Sequence, residues 1–235
     1  MPASGLGNLL DGAKVVFFDF GDTLVSLRAP LEVWVATASE LGIRVRRDAL
    51  RDATAAADKE YKSSVYEYRG RMEEFWKLYD GFVIKRLGFT DRGGRFGTAV
   101  EAAFLDTKRW MSVFPETHTV LSNLKRQGLI LGIISNNTDD MLDRLNDLDL
   151  LRYFDSLTYS QEAGAEKPAP EPFVLALRRV RKKPEQCVHV GNSLEQDVAG
   201  AKGVGIRPIL VDREGSHPNP GCAVVRDLRG LLEEA

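Results

Sequence analysis

The stretch Val15-Val16-Phe17-Phe18-Asp19-Phe20-Gly21-Asp22-Thr23-Leu24 runs four apolar residues into a carboxylate, a glycine, a second carboxylate and a threonine. A short apolar run bounded by turn residues reads as a strand buried on both faces, the kind found in a parallel sheet. In open α/β sheets, ligands bind in the crevice beyond the carboxyl ends of the strands. Asp19 is therefore a candidate functional residue, provided that strands and helices alternate through the rest of the chain.

They alternate from Val113 onward. Pro115 opens a helix whose apolar face is Val120, Leu121 and Leu124, and Gly128 ends it. Leu129 to Ile134 reads as a strand stopping at Ser135-Asn136-Asn137, and Thr138 is placed to cap the helix of Met141, Leu142 and Leu145. A brief strand follows at Ser156–Tyr159, then a loop with Lys167-Pro168 and a helix using Phe173, Leu177 and Val180. Cys187–Val190 is a strand running into Gly191-Asn192-Ser193, and Ile206–Val211 and Ala223–Val225 are the last two strands. This pattern predicts an α/β fold: a Rossmann-like parallel sheet with right-handed crossovers and helices on both faces.

Between the first strand and Val113 the texture is helical. Leu31, Trp34, Val35, Ala38 and Leu41 lie on one helix face before Gly42, and Phe75, Leu78, Tyr79, Phe82 and Val83 form a second stripe before Leu87-Gly88. The expected division is an α/β core over 1–27 and 111–235, with an all-helical insert over 28–110. An insert leaving the carboxyl end of the first strand is placed to act as a lid on the crevice. Its aromatics Tyr61, Tyr66, Tyr68, Phe75 and Trp76 read mainly as core, with one or two facing the crevice to select substrate.

With 43% hydrophobic and 28% charged residues in 235, the chain has the composition of a globular protein with a sizeable core. Lys and Arg total 32 against 34 Asp and Glu, so no nucleic-acid surface is implied. The densest basic run, Arg178–Lys183, suits a helix end, where cations oppose the dipole. Cys187 and Cys222 form no disulfide framework or zinc spacing, and no apolar run suggests a leader or a membrane span. These features predict a cytoplasmic protein with no membrane partner. The sequence leaves the oligomeric state open.

Four strand ends thus bring polar residues to one sheet edge: Asp19 to Thr23, Ser135-Asn136, Lys167 on its loop, and Gly191-Asn192-Ser193 with Asp197. The chemistry of that set is phosphoryl transfer. Asp19 can attack phosphorus to form an aspartyl phosphate while a hydroxyl and Lys167 neutralise the nonbridging oxygens. Thr23, Ser135, Asn136 and Lys167 are the candidates to contact the phosphate. Oxygens from the first and last loops suit Mg²⁺. The histidines read as bystanders: His118 in a helix, His217 in a loop and His189 inside a strand.

The chain resembles the haloacid dehalogenase-like hydrolases in four ordered motifs: VVFFDFGDTL, IISNN, EKPAPEPF and HVGNSLEQDVAGA. The resemblance runs from Val15 to about Val211, and the insert looks like that superfamily's small helical cap. It implies Asp19 as nucleophile, Ser135 and Lys167 as the phosphate-binding pair, and Asp19, the Gly21 carbonyl, Asn192 and Asp197 around Mg²⁺. The substrate so implied is a small phosphorylated metabolite.

Two positions depart from the pattern. Phosphatases of the superfamily read Asp-x-Asp-Gly-Thr, the second Asp serving as acid and base; here that position is Gly21, and the next is Asp22. Loss of such a group costs about 10² to 10⁴ in rate, least where the leaving group departs unaided, as in aryl or acyl phosphates. Asn192 stands where an aspartate is common, which removes one negative charge from the metal side. Two other readings follow from these departures: a metal-independent 2-haloacid dehalogenase using the same nucleophile, and a scaffold whose catalytic set has decayed.

Overall fold

The computed structural model describes residues 9–68, 71–88 and 90–232; the side chain of Tyr66 lies outside what is described. The strands in chain order are β1 (Val15–Phe18), β2 (Val25–Leu27), β3 (Met111–Val113), β4 (Ile130–Ser135), β5 (Ser156–Tyr159), β6 (Cys187–Gly191), β7 (Arg207–Val211) and β8 (Ala223–Val225). Six of them form one sheet in the order β5-β4-β1-β6-β7-β8, and β2 pairs with β3. All five pairings in the large sheet are parallel, so every strand delivers its carboxyl end to one edge. The fold is the α/β, Rossmann-like arrangement read from the sequence.

β1 lies at the centre, with Phe18 level with Ile133 of β4 on one side and Val190 of β6 on the other. Its four residues are fully buried. Val15 and Phe17 pack with Phe173, Ala176 and Ala201 of the covering helices, while Phe18 meets Phe154 edge-on at 6.4 Å. Burial on both faces explains why the strand is apolar throughout rather than alternating.

The chain divides into two compact units: within the described residues, 9–26, 113–137 and 149–232 form one, and 27–112 with 138–148 the other. The helix Met141–Asp147 thus groups with the helical insert, although the sequence pattern put it in the α/β core. Two contacts account for it. Thr107 Oγ1 donates to Asp147 Oδ2 at 2.8 Å, and the Arg144 guanidinium lies over the Trp110 ring, 4.8 Å from its centre. The cap position of this helix is held by Asp140 rather than by Thr138, whose hydroxyl donates to the Asp140 side chain.

The helical unit is built on α1 (Pro30–Glu40), α2 (Arg47–Tyr61), α3 (Met72–Arg86) and α4 (Arg95–Leu105). Trp34, Leu50, Val83, Phe96 and Val100 form its core, and Trp34 meets Phe96 edge-on at 5.5 Å. On α3 the buried face is Met72, Phe75, Asp80, Val83 and Ile84. Leu78, placed in the apolar stripe by its spacing, is exposed, and Asp80 takes a buried position instead. Phe75 joins an aromatic group with Tyr68, Trp76 and Tyr79. Among the described residues no helix is long and apolar enough to cross a membrane.

Candidate active site

Asp19 is the first residue after β1, and its N–H continues the ladder by donating to the Val190 carbonyl at 2.9 Å. That bond fixes the backbone from which the carboxylate projects. Asp19 is 8% exposed, and each of its oxygens has a donor: Lys167 Nζ to Oδ1 at 2.8 Å and Thr23 Oγ1 to Oδ2 at 3.1 Å. The chain between them is a tight turn in which Leu24 N–H donates to the Phe20 carbonyl and Asp22 N–H to the Val25 carbonyl. Asp22 occupies the left-handed region at φ 55°, a conformation that glycine, aspartate and asparagine tolerate best. The Gly-Asp order therefore leaves an aspartate where the backbone suits glycine. Asp22 is exposed, unlike Asp19, and the position two residues after Asp19 carries no side chain.

Lys167 is the hub of the site. Its side chain is entirely buried, and its three ammonium protons have three acceptors: Asp19 Oδ1 at 2.8 Å, the Ile134 carbonyl at 2.8 Å and Asp197 Oδ1 at 2.6 Å. An ammonium offers three donors, so this one is saturated. Asn136 fixes its backbone, accepting from Lys167 N–H at 2.7 Å and donating from Nδ2 to the Lys167 carbonyl at 3.1 Å. Asn136, expected among the phosphate contacts, uses its Oδ1 and one Nδ2 hydrogen to hold the lysine loop. Ser135, the last residue of β4, is buried at the same edge.

Asp197 lies in the helical turn Leu194–Ala199 after β6 and is 2% exposed. Oδ1 accepts from Lys167 and from His189 Nε2 at 2.9 Å, and Oδ2 accepts from Ser193 N–H at 3.0 Å. Such close approach requires Gly191, because a Cβ there would sit 2.2 Å from Asp197 Cγ. His189, read from the sequence as a bystander, is thus part of the site. Its Nδ1 is buried with no partner among the described residues, and since Asp197 brings no proton, Nε2 carries the hydrogen. The ring of Phe173 stands edge-on to it at 5.3 Å.

The two acids are driven apart. Burial pushes the Asp19 carboxyl above the ordinary carboxylate range; Lys167 pulls it back, and the neighbouring Asp197 charge adds to the rise. Burial opposes ionisation of Asp197 too, but there Lys167 and His189 win, and it is held well below the usual range. Burial also works against the Lys167 charge, and the two carboxylates outweigh it, so its ammonium is held above its ordinary value. Carboxylates shifted in opposite directions beside one cation are the pattern of a site that divides roles between its acids.

For a metal, the donor chemistry fits Mg²⁺. Asp19 Oδ2 and Asn192 Oδ1 both lie within hydrogen-bond reach of the Thr23 hydroxyl, at 3.1 and 3.3 Å, so two hard oxygens converge on one point. Asp197, expected beside them, has its oxygens occupied by Lys167, His189 and Ser193. Among the described residues no three His, Cys, Asp or Glu side chains gather as a metal cluster.

A family model described as haloacid dehalogenase-like hydrolase matches residues 13–205. Among curated proteins, the chain is 33% identical over 222 residues to a phosphoserine phosphatase of Thermus thermophilus, covering 85% of this chain and 89% of that one. It is 29% identical over 209 residues to a glyceraldehyde 3-phosphate phosphatase of Methanopyrus kandleri, covering 85% and 84%. Among solved structures, a 2-haloacid dehalogenase of Pseudomonas syringae superposes with a TM-score of 0.71 at 25% identity, covering 94% of this chain and 96% of that one.

Proposed function

The chain belongs to the haloacid dehalogenase-like hydrolases, and we propose that within them it is a Mg²⁺-dependent phosphatase of small phosphorylated metabolites, working in the cytoplasm through an aspartyl phosphate on Asp19. The observation that carries this reading is Lys167: a fully buried ammonium shared by Asp19 and Asp197 at the strand ends. Such a cation opposes the rise that burial imposes on the nucleophile's carboxyl, and it is poised to neutralise the oxygens of an incoming phosphoryl group.

In the first step an Asp19 oxygen attacks phosphorus, the bond from phosphorus to the leaving oxygen breaks, and the electron pair departs with the leaving group. In the second, water attacks phosphorus, the acyl phosphate bond breaks with its electron pair returning to the Asp19 carboxylate, and the protons of the water leave on the phosphate released. Ser135 is the hydroxyl we assign to the nonbridging oxygens, while Thr23 orients the Asp19 carboxylate through its own hydroxyl. Asn136 acts through Lys167 rather than on the phosphate, and Asp197 serves as the lysine's counter-ion. Mg²⁺, when bound, supplies positive charge to the phosphoryl oxygens, and Asp19, the Gly21 carbonyl and Asn192 are the groups to hold it. The helical unit is the proposed cap that selects the substrate.

Gly21 sets the substrate preference, because it offers no proton to a leaving oxygen. Acyl and aryl phosphates should therefore be turned over about 10² or more faster than alkyl phosphates, and Gly21→Asp should narrow that gap. Turnover of p-nitrophenyl phosphate and acetyl phosphate, dependent on Mg²⁺ and abolished in Asp19→Asn, supports the reading; no turnover of either overturns it. Halide release from a 2-halo acid in metal-free buffer would replace it with the dehalogenase reading.

A further inference from the structure

Outside the set just described, the charged side chain of Arg213 reaches the first motif from another part of the α/β unit. Arg213 lies two residues past β7, and its Nη2 donates to the Thr23 carbonyl at 3.1 Å. Nη1 donates to Glu116 Oε1 at 2.8 Å, and the guanidinium stacks on the Phe114 ring, 3.4 Å from its centre. We infer that Arg213 is a positioning residue of the phosphatase site, holding the Thr23 backbone so that the threonine hydroxyl meets Asp19; this rests on the phosphatase reading above.

Three features carry the inference. The first is the orientation of the guanidinium. Its Nε is buried with no acceptor among the described residues, although an arginine that faces a carboxylate side-on commonly satisfies Nε and one Nη together. Here the plane is turned so that one Nη serves Glu116 and the other serves a carbonyl of the nucleophile loop, at the cost of leaving Nε unpaired. An ion pair with Glu116 alone would not require that orientation.

The second is the rigidity of the arm that carries Arg213. The Asp212 carboxylate accepts from the N–H groups of Gly215, Ser216 and His217, and Asp212 N–H donates to the Val225 carbonyl at 2.9 Å. Thus Arg213 extends from a stitched turn at the end of a sheet strand, the kind of support that holds a site to a fraction of an ångström.

The third is what the loop needs. Thr23 is fully buried, and its hydroxyl is the donor to Asp19 Oδ2. The neighbouring Leu24 carbonyl is already fixed by Thr117 Oγ1 at 2.8 Å and by Phe114 N–H at 3.2 Å. Arg213 fixes the Thr23 carbonyl, so two successive peptide groups are held from outside and the Cα–Cβ direction of Thr23 is set. Without it the turn retains Leu24, while Thr23 is free to tilt.

The test is a double-mutant cycle in the full-length protein, assayed with p-nitrophenyl phosphate and excess Mg²⁺. Arg213→Met should lower kcat by about tenfold to a hundredfold, with KM changed by less than roughly twofold. If Arg213 acts through Thr23, the Arg213→Met/Thr23→Val double variant is no slower than Thr23→Val alone. Glu116→Gln, which weakens the ion pair and leaves the carbonyl contact, should lower Tm without changing kcat. Should Arg213→Met not fold, Arg213→Lys carries the same cycle, because one ammonium cannot hold both partners with the planar fork's geometry. An unchanged kcat, or losses that add in the double variant, overturns the inference while wild-type turnover keeps the phosphatase reading standing. A wild type with no turnover overturns both.

Discussion

Both units of the molecule bury acids, and they treat them in opposite ways. In the α/β unit Asp19 and Asp197 are buried around a shared ammonium. In the helical unit Asp80 is 6% exposed on α3 and has no hydrogen-bond or ion-pair partner among the described residues. Burial, with the Glu101 charge adding to it, pushes the Asp80 carboxyl up to about 7. The contrast shows what a buried carboxylate costs without a cation and what Lys167 accomplishes: it keeps Asp197 ionised and moderates the rise at Asp19. The pH signatures of the two follow. Asp197, held low, contributes stability above the ordinary carboxylate range that is lost only as pH falls through its own lower value. Asp80, held high, gives stability that falls as pH rises from 3.8 to about 7 and is level beyond.

Removing the cation should have the largest effect. Lys167→Met leaves two buried carboxylates facing each other, and breaking a buried pair in this way costs about 3–5 kcal/mol; urea unfolding should show that loss, and turnover should fall below about 10⁻³ of wild type. Second, Asp80→Asn should stabilise the protein by an amount on the order of 4 kcal/mol at pH 8 and by almost nothing near pH 4, the difference following from the span between 3.8 and about 7. Unfolding at the two pH values measures it, and equal effects at both would show that Asp80 is not a lone buried acid. Third, His189→Phe should cost about 1–3 kcal/mol by taking one donor from Asp197, with His189→Gln recovering part of it through a donor at a similar position. If His189→Phe is as stable and active as wild type, Lys167 alone maintains Asp197.

The sequence disclosed the sheet and the acids that end its strands, because an apolar run stopping at a carboxylate is a local signal. Asp19, Ser135 and Asn192 each stand at or just past the end of an apolar run and are legible by it, whereas Lys167 is legible only as a loop residue brought to the same edge. What escaped depends on side-chain direction and on pairings far apart in the chain. His189 sits inside an apolar strand, where nothing in its neighbours tells whether its imidazole faces helix or site. Asp80 falls one position off the apolar stripe of α3, and only the packing of α3 against α2 and α4 decides which side is buried. Arg213 lies 190 residues from the carbonyl it holds. The helix at Met141–Asp147 shows the same limit: its spacing suits either unit, and Trp110 and Thr107 settle where it packs.

The central claim is that Asp19, paired with Lys167, takes up the phosphoryl group. The most direct measurement is a rapid acid quench of the enzyme with acetyl phosphate and Mg²⁺, followed by mass spectrometry of the peptide containing Asp19. The account predicts that this peptide becomes heavier by one phosphoryl group within the first turnover and that the adduct is absent in Asp19→Asn. Turnover with no adduct on Asp19, or an adduct that persists in Asp19→Asn, would contradict it.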